Sequence, residues 1–363
     1  MSHKITFKSK AILDAVSKVA IFAANKSPIQ ALQCVRVTLG NGVLELSASD
    51  GSSVDISVYI ETDSDGEFDL CLLAEKLLPK LQVFAKAADT IDISFGKIVT
   101  LKAGKHVSRI NSISPDLFPD LDRSFIAKIA NIEKVASGEL VTAIRMTVAA
   151  ADPKSPFPAL EGIFMNGVDI VSADGARLAV YKSPGFIDDP TVVPAASLSK
   201  IAQVIADVEN IYVIRYGDKL VVGWDTGVVT STIISHSFPD YKSIVPNGFE
   251  TKITVKRTEL LEALNLATVD AVDSSNLVII SVSEENGMAI SAESGTGGHS
   301  STLDYTKFSG NPQKIGLSIK YLKDATTKLN SEEITFGINS PENIVVLTDS
   351  DSYVYGIMPM SIS

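Results

Sequence analysis

A threefold internal repeat with a period near 120 residues is the feature that most constrains this 363-residue chain. Phe118-Pro119-Asp120-Leu121 reappears as Phe238-Pro239-Asp240-Tyr241, and Met358-Pro359-Met360 stands one period further on, so the three prolines are spaced by 120 and again by 120. A second set runs from Asn41-Gly42-Val43 to Asp50-Gly51, from Asn166-Gly167-Val168 to Asp174-Gly175, and from Asn286-Gly287-Met288 to Ser294-Gly295. Asn-Gly is a strong hairpin signal, because both central residues of a type I′ turn need positive φ. Each of these dipeptides is therefore expected to open a hairpin. A third set, Lys4-Ile5-Thr6-Phe7, Lys128-Ile129-Ala130-Asn131 and Lys252-Ile253-Thr254-Val255, is spaced by 124 and 124 and is expected to open each unit. Solenoid repeats are only ~20–50 residues long, so units of this size should each own a core. The chain is also too long for one core, since single cores stop growing near ~250–300 residues. Three domains are expected, at 1–122, 123–248 and 249–363.

Within each unit the pattern reads strand, amphipathic helix, strands, second helix, strands. Ile12, Leu13, Val16, Val19, Ala20 and Ala23 make an apolar stripe at helical spacing, with Lys10, Asp14 and Lys18 four apart on another face. Second helices are expected over 74–86, 197–209 and 318–330. Pro79 falls inside the first of them, where it removes a backbone donor and either kinks the helix or moves its start. Ile91-Asp92-Ile93-Ser94-Phe95 and Ile211-Tyr212-Val213-Ile214 are short and β-branched, as strands are. The fold class is α+β, with sheets backing paired helices.

Composition excludes several classes. Apolar residues make up 45% and charged residues 21%, so the chain should fold throughout. Met1-Ser2-His3-Lys4-Ile5 lacks the apolar run of a signal peptide, and no stretch approaches the ~18 apolar residues of a membrane span. A cytoplasmic location is expected. Cys34 and Cys71 lie in apolar surroundings outside any C-x-x-C pair and are read as buried, reduced thiols. His3, His106, His236 and His299 are scattered without metal-ligand spacing. Gly295-Thr296-Gly297-Gly298 lacks the lysine and following helix of a phosphate loop and is read as an ordinary loop. Glu61-Thr62-Asp63-Ser64-Asp65-Gly66 imitates the start of a calcium loop, but its twelfth position is Leu72. No enzyme chemistry, metal or cofactor is expected. The net charge of −11 argues against a protein that holds nucleic acid by charge alone.

Three stretches resemble the beta subunit of bacterial DNA polymerase III, the DNA sliding clamp. Val171-Ser172-Ala173-Asp174-Gly175-Ala176-Arg177-Leu178-Ala179 is similar to the family's T-D-G-H-R-L-A segment. Phe238-Pro239-Asp240-Tyr241-Lys242-Ser243-Ile244-Val245-Pro246 is similar to its F-P-D-Y-R-R-V-x-P linker, and Tyr355-Gly356-Ile357-Met358-Pro359-Met360 to its terminal Y-x-x-M-P-M. The resemblance implies three clamp domains of like topology, each with two inner helices and outer antiparallel sheets. It further implies a head-to-tail homodimeric ring around double-stranded DNA, conferring processivity on the replicative polymerase. Such a ring stays on DNA by topology, which removes the objection raised by the acidic charge.

The charge distribution has the sign a ring requires. Segments 8–26, 74–86, 132–154, 197–209, 254–270 and 318–330 carry +3, +2, 0, −1, −1 and +2, a total of +5, which leaves −16 for the rest. A mildly positive lining inside an acidic shell attracts phosphates without reading bases. The resemblance places DNA contacts at Lys26 and Lys76, and the helical segments add Lys80, Lys86, Lys200, Lys320 and Lys323. It also implies a cleft that docks short motifs of polymerase, clamp loader and repair proteins. The matching positions are Leu160, Ala173, Gly175, Arg177, Leu178, Pro239, Ile244, Ser318, Tyr321, Ile357, Met358, Pro359 and Met360. An apolar pocket with adaptable methionines suits a leucine- or phenylalanine-bearing peptide.

The departures from the family pattern alter the polarity of that cleft. Ala176 stands where the family has histidine, Ser243 replaces the second linker arginine, and the chain ends Ser361-Ile362-Ser363 instead of basic-apolar. They fit a divergent or virus-encoded member with its own polymerase and its own preferred motif. The competing reading is a three-repeat structural or interaction protein with no DNA role, which the basic helical segments disfavour.

Overall fold

The structure is a computed structural model, and it describes residues 3–129, 132–272, 275–329 and 331–362. The element order recurs three times. The first repeat runs strand His3–Lys8, helix Ser9–Ala20, strands Cys34–Gly40, Val43–Ser49, Val54–Glu61 and Phe68–Leu73, helix Ala74–Ala87, then strands Thr90–Phe95, Ile98–Ala103 and His106–Asn111. The middle repeat runs Val135–Ala136, helix Ser137–Thr147, strands Gly162–Ala173 and Arg177–Pro194, helix Ala195–Ile205, then Asn210–Tyr216, Lys219–Trp224 and Gly227–Thr232. The third opens with Thr251–Lys256 and helix Arg257–Ala271, and continues through Leu277–Ser283, Gly287–Glu293, Gly298–Leu303, Tyr305–Ser309 and Gln313–Ser318. Helix Ile319–Lys328 and strands Glu333–Ile338, Val345–Ser350 and Tyr353–Ile357 complete it.

Each first helix starts the same way, which shows that the repeat is structural. The N–H of Ser9 donates to the Asp89 carbonyl (2.8 Å), that of Ser137 to Glu209 (3.1 Å) and that of Arg257 to Glu332 (2.8 Å). A leading N–H that the helix itself leaves unpaired is thereby satisfied from the turn before the facing strand. The Ser9 and Ser137 hydroxyls add a second bond, to the carbonyls of Ala88 and Val208. Of the predicted stripe, Ile12, Val16 and Val19 are buried, with Ala15 beside them; Leu13 and Ala20 are half-buried, and Ala23 is buried just beyond the helix's end.

Two compact units emerge, one comprising 1–141 with 196–233 and the other 142–195 with 234–363. In the first, an eight-stranded sheet joins two repeats, because strand Val54–Glu61 pairs antiparallel with Gly227–Thr232 (Val58 opposite Gly227, Val54 opposite Ser231). In the second, a seven-stranded sheet joins two repeats through Arg177–Pro194 and Tyr353–Ile357 (Arg177 opposite Ile357, Tyr181 opposite Tyr353). The rule is the same in both: a strand that precedes the second helix of one repeat pairs with the last strand of the next. Each unit also holds a four-stranded sheet, and His106–Asn111 and Gly298–Leu303 lie at edges of these.

Several expectations are revised. Lys128 lies in the short helix Ile126–Ile129, Ala130 and Asn131 fall outside the described residues, and the strand that opens the middle repeat is Val135–Ala136. Only Asn41-Gly42 has positive φ at both residues (51° and 73°), as a type I′ turn needs. Asn166-Gly167 sits inside the Gly162–Ala173 strand at a register irregularity, and Asn286 ends a three-residue turn, with positive φ only at Gly287, the first residue of the next strand. The second helices end near their expected limits, at Ala87, Ile205 and Lys328; Asn330, the last residue of the expected third one, lies outside the described residues. Pro79 is inside Ala74–Ala87 and does not move its start.

The linker between the first two repeats is fixed by Phe125, fully buried with Val221 and Val228 and edge-on to Tyr216 at 6.4 Å. Phe125→Ala should destabilise the first unit by about 3–5 kcal/mol through the cavity it leaves. Denaturant unfolding of the variant, followed at its earlier transition, measures this.

Candidate functional site

The second linker forms one wall of an apolar cavity of about 330 Å³. Phe157, Pro158, Ala159 and Leu160 line one side, and His236, Ser237 and Pro239 the other. The first wall is a 3₁₀ turn, Pro158–Glu161, whose Leu160 N–H donates to the Phe157 carbonyl (2.9 Å). Phe157 projects into solvent at 67% exposure. The second wall is held on the sheet by aromatic stacking: Phe238 lies on Phe164 with centroids 5.1 Å apart and planes 11° apart, and Tyr241 leans on both. Beneath them Val171, Leu178 and Val180 form a small core of their own.

Tyr241 donates its hydroxyl to Asp169 (2.5 Å), which also accepts from Lys182 and has Lys242 at 3.6 Å. Burial alone would raise the Asp169 pKa, but the hydrogen bonds from Lys182 and Tyr241 outweigh it and hold the carboxyl below its ordinary value. Tyr241 is pushed up, chiefly by burial and then by the adjacent carboxylate.

Next along the chain, Arg177 is a buried hub. Its Nε donates to Asp174 (2.8 Å) and its Nη1 to Asp324 (2.5 Å) and to the Tyr355 hydroxyl (3.3 Å), while its guanidinium lies over Tyr321 at 4.3 Å. Asp174 also receives the N–H groups of Ala176 and Arg177, which fixes the turn at Gly175, where φ is +87°. Met358 N–H then donates to Ala176 and Met360 N–H to Gly316, both at 2.8 Å, tying the carboxyl-terminal segment to that turn and to the Gln313–Ser318 strand.

The thirteen predicted cleft positions therefore divide. Gly175, Pro239, Ile244 and Met358 are exposed, and Ala173, Tyr321, Pro359 and Met360 are half-buried. Leu160, Arg177, Leu178, Ser318 and Ile357 are buried and support the others from below. Only Leu160 and Pro239 line the cavity itself. Phe157, Pro158, Ala159, His236 and Ser237 were missed, although Lys26-Ser27-Pro28 through Ala31-Leu32 recurs as Lys154-Ser155-Pro156 through Ala159-Leu160 and marks this turn as a repeated element. The recurrence extends to structure: Ile29 N–H donates to Ser27 Oγ (3.1 Å) as Phe157 N–H does to Ser155 Oγ (3.2 Å).

The lysines also divide. Lys26, Lys86 and Lys320 are exposed and form no ion pair among the described residues. Lys76 is exposed beside Glu75 (3.2 Å). Lys80 donates to Ser108 and the Arg109 carbonyl, Lys323 donates to Thr268, and Lys200 lies 5.6 Å over the Phe22 ring. Cys34 and Cys71 are buried free thiols.

This architecture is found throughout the chain's length in known proteins. It superposes on the DNA polymerase III beta subunit of Thermotoga maritima with a TM-score of 0.91 at 21% identity, over 99% of this chain and 100% of that one. The beta chain of Streptococcus pneumoniae gives 0.91 at 19%, over 100% of both. Residues 242–361, which hold both the linker's end and the Met-Pro-Met segment, match the C-terminal domain of the DNA polymerase III beta subunit. Over nearly its whole length the chain is similar to beta sliding clamps. The beta sliding clamp of Chlamydia pneumoniae is 22% identical over 95% of each chain, and that of Synechococcus elongatus 24% identical over 72% of this chain and 73% of its own. Divergence of this chain from these relatives is thus concentrated in sequence and not in fold.

Arg177→Lys should fail to restore what Arg177→Ala loses, since an ammonium cannot bridge Asp174, Asp324 and Tyr355 together. Both variants should lower the unfolding midpoint of the second unit, with the alanine costing about 3–5 kcal/mol by stranding two carboxylates. The Asp169 contribution has a defined pH window. Its folded pKa is depressed, so its stabilisation is complete above the unfolded value of about 3.9 and is lost as pH falls through the folded one. Acid titration of tyrosine absorbance should show Asp169→Asn removing part of that pH dependence.

Proposed function

We propose that two copies of this clamp close head to tail into a ring around duplex DNA, and that the ring tethers a replicative polymerase. Sheet topology carries this reading. Val54–Glu61 of the first repeat pairs with the last strand of the second, and Arg177–Pro194 of the second pairs with the last strand of the third. Continuing the series, Gly298–Leu303 of the third repeat should receive a last strand, and the first repeat's His106–Asn111 has an open edge. Both edges are flanked by exposed apolar side chains: Val83 and Val107 in one unit, Leu266, Val269 and Val272 in the other. Open edges with apolar neighbours are aggregation hazards unless covered, and a second copy covers both at once.

The same reading takes the three repeats, with boundaries near 122 and 248, as the ring's domains. It makes the lysine-bearing helical segments its DNA-facing lining, with Lys26, Lys86 and Lys320 the freest cations. The clamp then performs no chemistry of its own and works in the cytoplasm, where replication proteins meet DNA. No described helix is long and apolar enough to cross a membrane. The 330 Å³ cavity, with Met358 and Met360 beyond it, is the docking cleft for apolar peptides of polymerase, clamp loader and repair proteins.

The test uses mass and topology together. Wild-type protein should run at twice 38.6 kDa, and a Val107→Glu, Val269→Glu double variant at 38.6 kDa. Wild-type loaded by its clamp loader should remain on circular DNA and leave linear DNA, whereas a monomeric wild type or equal loss from both DNAs sinks the ring.

A further inference from the structure

Asp169 is a carboxylate at 5% exposure that reaches neither the cavity nor the Arg177 hub, and two of its three partners are the consecutive linker residues Tyr241 and Lys242. We propose that Asp169 and Tyr241 form a latch that fixes the second linker and so sets the width of the apolar cavity, with Asp169 acting as a positioning residue that never touches the peptide. The proposal rests on the docking reading only where it concerns peptide affinity.

The geometry supports it in three ways. Pro239, the cavity-lining residue of the linker, lies between two anchors: Phe238 stacked on Phe164 before it and Tyr241 bonded to Asp169 after it. Phe164 and Asp169 stand on one strand, Gly162–Ala173, and that strand follows directly from the Pro158–Glu161 turn of the opposite wall. One strand therefore carries the anchors for both sides of the opening. Finally, the internal repeats act as controls. Aligning Asn166-Gly167-Val168 on Asn41-Gly42-Val43 and Asn286-Gly287-Met288 puts Leu44 and Ala289 at the place of Asp169, and aligning the linkers puts Leu121 at Tyr241. The first linker is instead held by Arg123 on Glu45 and Ser57. At these aligned positions the aspartate–tyrosine pair occurs in the middle repeat alone, beside the cavity. A buried carboxylate is costly unless well bonded, and here it is offset by the phenol and two lysines.

A spin label on Asp240→Cys reports linker mobility without any peptide, and Cys34 and Cys71 are buried away from the reagent. Tyr241→Phe keeps the ring packing and deletes one hydroxyl. It should sharpen the label's spectrum and weaken a fluorescent leucine-phenylalanine peptide about tenfold, the equivalent of one charge-assisted hydrogen bond. Asp169→Asn retains an acceptor and should lose about threefold. Asp169→Leu should match Tyr241→Phe, and the two combined should be no worse than either. Unchanged mobility in Tyr241→Phe, or fully additive losses, overturns the latch. Should wild type bind no peptide, the docking reading falls and the label alone decides: a looser linker in Tyr241→Phe upholds the latch, an unchanged one refutes it. Should Asp169→Leu not fold, Tyr241→Phe decides.

Discussion

Antiparallel pairing between strands of successive repeats is the interaction on which this molecule depends. A strand pair supplies backbone hydrogen bonds that no side-chain substitution removes, and it fixes register residue by residue. Here Val54–Glu61 on Gly227–Thr232, and Arg177–Pro194 on Tyr353–Ile357, join four part-sheets into two continuous sheets. The joints also position side chains. The second one carries Arg177 at its end, and from there Asp174, Tyr321, Asp324 and Tyr355 are gathered around a single guanidinium.

Polar chemistry in the second unit serves to hold walls apart more than to greet a ligand. Arg177 is sealed by its own partners, and Asp169 by its own. What remains open is mostly apolar, Phe157, Pro239, Ile244 and Met358, with His236 and Ser237 beside them. A surface of this kind rewards shape and hydrophobic burial.

Much of the fold was legible in the sequence because its signals are local and repeated. The Phe-Pro-Asp linkers recur at a fixed interval, and the apolar stripe from Ile12 to Ala23 has helical spacing, so the repeated element order and the helix positions followed. Turns were less legible. Asn166-Gly167 has the composition of a hairpin turn, yet tertiary pairing absorbs it into a long irregular strand, and Lys128 has the look of a strand opening but lies in a helical turn. The cleft residues were placed by resemblance, which names positions without telling which are covered. Leu178 is buried because the linker's Tyr241 packs with it, and Ile357 because its strand contributes to the core of the third repeat, and these are long-range facts no spacing reveals. Phe157 was within reach through the recurring Lys-Ser-Pro turn, while the Asp169–Tyr241 pair, 72 residues apart, had no local signal at all.

The division of the middle repeat between two units has a consequence for biosynthesis. Hairpins such as Val43–Ser49 with Val54–Glu61 form from neighbours and can close early. The Val54–Glu61 edge, however, waits for residues near 230, and the strand Tyr353–Ile357 sits inside the seven-stranded sheet, not at its rim. Contacts of such sequence separation are slow to form and leave edges bare meanwhile. A nascent chain of this protein therefore spends most of its emergence with half-built sheets, and chaperone demand should be greatest just before the carboxyl-terminal strand leaves the ribosome.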